Sequence, residues 1–257
     1  MMRRQEGPIS SGALADRGSA VFALLFAVHA GAASARAGGL PDIDRSDLPN
    51  GEARFVLIQN DEEKGEMRYS FACDAARCIL HDGTTLYPNI RESGSATLDA
   101  ATFAPLTVSL DGDFARNILD AELAWADGRV TGEYRRKGPN DVSKTVVPFD
   151  REAPAGAILR WSVFALVQAM PLNAGDVYEL NWFAPLSGAY APAILRVEGR
   201  ELVETPAGET MATRVVVDAS PRNVILVADA PRRIVRIDVP DQNMRFERLP
   251  DPPATPE

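Results

Sequence analysis

Three side chains in the stretch SFACDAARCILHDG could do chemistry together: Cys73, Cys78 and His81. The spacing Cys-x4-Cys-x2-His offers three zinc ligands. Structural zinc sites use four ligands, with tighter cysteine spacing. In an exported chain the same two cysteines suit a disulfide that closes the DAAR loop of a hairpin. Disulfide is therefore the expectation, with no metal. The only other histidine, His29, lies in a segment expected to be cleaved. The mature chain then has one histidine, which excludes HExxH and any site built from two. A Ser/His/Asp triad would have to use His81.

Other catalytic signatures are absent. There is no G-x-S-x-G elbow, P-loop or GxGxxG, so no nucleotide cofactor is expected. Carboxylates cluster at Asp61-Glu62-Glu63 and at Asp111 and Asp113, in expected turns where solvated acids are normal. Asp111-Gly112-Asp113 is too short for a calcium loop. Two carboxylates distant in sequence could still meet in space and hydrolyse a glycoside, but no spacing argues for it. No residue is assigned as catalytic. Three aromatic residues remain: Trp161, Phe164 and Trp182. They suit the wall of an apolar cavity for an acyl chain, or the filling of an ordinary core.

Those residues must be positioned by a chain with ends of a different character. Residues 20–30, AVFALLFAVHA, are an apolar run preceded by Arg3, Arg4 and Arg17 and followed by Ala35-Arg36-Ala37. This is the pattern of a secretory signal peptide over residues 1–37. Its uncharged stretch is short of the ~20 residues needed to span a bilayer, so no transmembrane anchor is expected after cleavage. A periplasmic or secreted location follows. Residues 38–50 read as a polar linker, 51–249 as one β-rich domain, and the Pro-rich 250–257 as a disordered tail. Cleavage leaves 23 basic against 34 acidic residues, a net charge of −11. Nucleic acid is excluded as a partner on that field.

Within 51–249 most segments alternate as strands. ARFVLIQN (53–60) and GEMRYSFAC (65–73) flank the charged turn DEEK. AELAWADGRVTGEYR (121–135) is a hairpin about Asp127-Gly128, a dipeptide that tolerates positive φ. SKTVVPF (143–149) is a further strand, with Pro148 marking its end or a sheet edge. RELVETPAGETMATRVVVDA (200–219) is a hairpin turning at Pro206–Gly208. A bulge is expected near Gly199, with Met211, Thr213, Val215 and Val217 on one face. One segment differs: AGAILRWSVFALVQAMPL (155–172) is apolar nearly all round and predicts a buried helix.

LDAATFAPLTV (98–108), ADGRVTGEY (126–134), LVQAMPLNAGD (166–176), VEGRELVETPAGETMATRVVV (197–217) and ILVADAPRRIVRIDV (225–239) occur in that order. In this order the chain resembles an uncharacterised family of secreted bacterial proteins, a domain of unknown function. The resemblance covers roughly residues 98–249. It implies a curved antiparallel sheet or half-barrel with one buried apolar helix in its concavity, similar to the LolA/LolB type of periplasmic lipoprotein carrier. It supplies no catalytic residues. The expected function is non-enzymatic: binding an apolar or lipid-like ligand, or an envelope-assembly partner. A structural module of the envelope without a ligand is the alternative, and a carboxylate-dependent hydrolase the second.

Overall fold

The computed structural model describes residues 40–46, 48–49, 51–229 and 231–251. The signal peptide expected over residues 1–37 lies outside them, as do residues 252–257 of the tail. Residues of the stretch read as a linker lie against the protein: Leu40, Ile43 and Leu48 pack on the core, and the Asp44 N–H donates to Ala169 O at 2.7 Å.

Alternation of apolar and polar residues builds a first meander of eight strands. These are β1 (Gly51–Gln59), β2 (Glu62–Cys73), β3 (Arg77–Leu86), β4 (Ile90–Asp99), β5 (Pro105–Phe114), β6 (Asn117–Ala126), β7 (Arg129–Lys137) and β8 (Thr145–Glu152). The chain then forms β9 (Ala157–Leu159), a 3-10 turn (Arg160–Ser162) and the helix α1 (Val163–Ala169). A second meander follows: β10 (Val177–Ala184), β11 (Ala189–Thr205), β12 (Gly208–Asp218), β13 (Asn223–Asp229), β14 (Arg232–Val239) and β15 (Met244–Arg248). β1 pairs with β15, which joins the two meanders into one sheet running from β8 at one end to β9 at the other. All pairings are antiparallel except β9 with β10.

The fold is mainly β, one large curved sheet holding one short helix, as a half-barrel requires. Its curvature is enforced by the chain. β8 and β9 are the opposite ends of the sheet, yet only residues 153–156 join them. That link reaches at most about 18 Å. The two ends must therefore approach. They meet through aromatic rings: Trp125 and Phe149 pack edge-on against Phe183, with centroids 5.2 and 6.0 Å apart. The Trp125 indole N–H donates to the Tyr190 hydroxyl at 2.9 Å, and the Tyr134 hydroxyl donates to Pro185 O at 2.7 Å. β8 and β9 themselves do not pair.

The inner face carries the core, including Phe55, Leu80, Leu98, Leu110, Trp182 and Ile225. A smaller cluster, with Ala212, Val216, Val224 and Leu226, lies on the other face of β12 and β13, because neighbouring residues of a strand point to opposite sides. α1 lies within the curve. Its Ala165, Leu166, Val167 and Ala169 are fully buried, Leu166 and Val167 each contributing ~1.5–3 kcal/mol. The Gln168 side chain joins it to β14 by accepting the Ile234 N–H at 3.2 Å.

Two expectations are corrected. The helix expected over 155–172 spans only Val163–Ala169, and Ala157–Leu159 are a strand pairing in parallel with Asn181–Phe183. A fully buried strand and a buried helix have the same all-apolar pattern, so periodicity could not separate them. The turn DEEK contracts to Asn60-Asp61, both at positive φ, and Glu62 opens β2. Met211 shares a face with Thr213, Val215 and Val217 but is exposed, because it precedes Ala212, where β13 begins to pair. The bulge near Gly199 is present, between Val197 and Arg200. The Asp127-Gly128 turn also forms as expected, both residues at positive φ.

Candidate functional site

Cys73 and Cys78 are cross-strand partners at the end of the β2–β3 hairpin and form a disulfide. The Asp74 carboxylate organises the loop they close by accepting the Ala76 and Arg77 N–H groups at 2.7 and 2.8 Å. Bonded to each other, the cysteines have no thiolate to offer a metal. His81 pairs with Ser70 and Ser95 and is exposed on the outer face.

The three aromatic candidates part company. Trp182, on β10, is 1% exposed and lies in the core, with the Arg160 guanidinium 5.8 Å from its ring centroid. Trp161 is also buried. Its six-membered ring sits so close to Gly94 that a Cβ there would lie 2.2 Å from it, so β4 needs a glycine at this point. Phe164 alone borders open space. It is half-buried on α1, and its ring meets Tyr69 edge-on at 5.5 Å.

That space is a cavity of about 330 Å³ between α1, the inner face of β1 and β2, and β14. Its apolar wall includes Phe55, Met67, Phe71, Phe164, Ile234 and Ile237. The exposed Glu52, Pro231 and Asp251 mark its open side, with Arg233 half-buried and Arg248 buried beside them. The size falls at the small end of the ~300–1,000 Å³ range of small-molecule pockets, and the apolar wall with a few polar groups at one end is the usual composition. None of the lining residues is a cysteine, serine or histidine.

A second polar group lies deeper. Asp82 on β3 faces inward, directly across from Tyr69 on β2 and Gly94 on β4. It is 8% exposed, and its Oδ1 has no hydrogen-bond partner. Burial, reinforced by the charge of Glu92 and opposed by Arg160, pushes its carboxyl up to about 8. Burial also raises Glu92, against the pull of Arg160 and the Trp161 indole. The Tyr69 phenol is raised well above its ordinary value by burial, with Asp82 adding to the effect. Neither Asp82 nor Glu92 lines the cavity. Sequence reasoning missed both, because DGTTLYPNIRES (82–93) has too few apolar residues to signal the strands that carry them.

No curated protein and no solved structure matches the chain. A family model described as a protein of unknown function, DUF3108, matches residues 81–243. That span includes most of β3, all of α1 and the strands of the second meander up to β14. Covering more than half of the chain, it assigns the protein to the DUF3108 family.

Proposed function

We propose that the protein is a non-enzymatic carrier of the cell envelope that takes an apolar or lipid-like ligand into the cavity beside Phe164. The observation that carries this reading is an apolar hollow of about 330 Å³ between a buried helix and the sheet, with a few charged residues among its lining. An apolar wall open to solvent keeps its area in contact with water, and an apolar ligand would remove that area from water. The half-barrel enclosing a helix supports a carrier of the LolA/LolB type. The disulfide between Cys73 and Cys78 agrees with an oxidising compartment such as the periplasm.

The test is native purification of the full chain, followed by solvent extraction and mass spectrometry, alongside titration with an environment-sensitive fluorescent fatty acid. Co-purified lipid and a saturable rise in fluorescence are expected. Met67→Trp, which fills the hollow, should weaken the probe by roughly tenfold or more. Absence of both lipid and fluorescence change would remove the carrier reading.

The pair Asp82 and Glu92 favours a second reading, a carboxylate-dependent hydrolase. A carboxyl held protonated beside another is the pattern of an acid–base pair. It ranks second because neither group borders the cavity. Loss of a measured turnover in Asp82→Asn would promote it.

A further inference from the structure

Building on the cavity as a ligand site, we propose that its ligand is a single-chain anionic amphiphile. The alkyl chain occupies the hollow, and Arg233 and Arg248 hold an oxyanion headgroup at the mouth.

Arg248 is unusual for its position. It pairs with Phe55 in register, so it stands on the inner face of β15 beside the apolar wall, and it is only 6% exposed. A guanidinium cannot shed its charge and needs an anion when buried. Asp251 now supplies one. One of its oxygens accepts from Arg248 Nη2 at 2.8 Å and the other lies 3.4 Å from Arg233 Nη1. A single carboxylate thus bridges the two guanidinium groups at the entrance to an apolar hollow, which is the arrangement a fatty acid headgroup would adopt.

The protein's carboxylate does not use all that the site offers. The Arg233 Nε is buried without a hydrogen-bond partner. Each guanidinium has five N–H donors in a fixed fork suited to oxyanions. Asp251 itself is half-exposed and stands three residues beyond β15, so a ligand can compete for its place. The volume sets the other end of the molecule. At ~30 Å³ for a water-sized group, about 330 Å³ holds one chain of roughly ten carbons. Glu52, exposed on the rim, is the other acid among the lining residues and makes a cationic headgroup the rival.

Calorimetric titration of the full chain with decanoate, decan-1-ol, decylamine and acetate separates these cases. Decanoate should bind roughly tenfold tighter than decan-1-ol, and acetate should give no measurable binding. Arg233→Gln should bring decanoate down to the level of decan-1-ol while leaving decan-1-ol unchanged. Asp251→Asn, which removes the competing carboxylate, should tighten decanoate several-fold. Decan-1-ol or decylamine binding as tightly as decanoate, or acetate matching it, would overturn the headgroup assignment while leaving the cavity a ligand site. Failure of every ten-carbon probe would overturn both.

Discussion

At neutral pH the Asp82 carboxyl stands protonated inside the sheet, and stability must follow its titration. Its folded value of about 8 lies above the ordinary 3.8, so between these values the folded state holds a proton that the unfolded chain has released. The stability that this carboxyl contributes is then fully present at low pH, falls as pH rises through this window, and levels off above pH 8. The raised Glu92 acts in the same direction. Asp82→Asn keeps the shape and removes the ionisation. It should stabilise the protein by about 2 kcal/mol or more at pH 8 and hardly at all at pH 4, measured by urea denaturation across pH. An equal effect at both pH values would refute this account. At this scale the sequence was legible where chemistry is local. The disulfide could be read from four intervening residues and a hairpin. Asp82 could not be recognised, because its burial depends on Trp161, Arg160 and Glu92, which reach it from other elements.

Among the elements, the β2–β3 hairpin and α1 show what local pattern can and cannot decide. Cys73 and Cys78 close so short a loop that the chain-entropy gain is about 2 kcal/mol. Replacing both with serine should therefore lower the unfolding midpoint without abolishing folding, as followed by circular dichroism. Unfolding at room temperature would mean that the hairpin does more than shorten the unfolded chain. The hairpins at Asp127-Gly128 and Pro206–Gly208 were legible because turn chemistry is local. The boundary between β9 and α1 was not. Ala157–Leu159 and Val163–Ala169 are equally apolar, and only pairing with Asn181–Phe183 makes the first a strand. The cavity lies at that same level of organisation: Phe164 could be nominated from sequence, but Ile234 and Ile237 become its neighbours only because α1 packs against β14, where Gln168 accepts the Ile234 N–H.

Over the whole sheet, alternation announced a β protein, and the resemblance implied its curvature. The line where its ends meet was invisible, because Trp125, Tyr134, Phe149, Phe183 and Tyr190 are spread across 66 residues with no common spacing. Phe183 touches three of the other four rings. Phe183→Ala should cost ~3–5 kcal/mol of stability and admit solvent to Trp125, read as a red shift and faster acrylamide quenching of tryptophan fluorescence. A shielded tryptophan in that variant would show that other contacts keep the ends together. With rings and two side-chain hydrogen bonds as its fastening, and no strand ladder across it, this line is where the wall can yield. Parting it would leave every rung of the sheet intact, within the reach that residues 153–156 allow, so the wall has a seam that can open without breaking a backbone ladder.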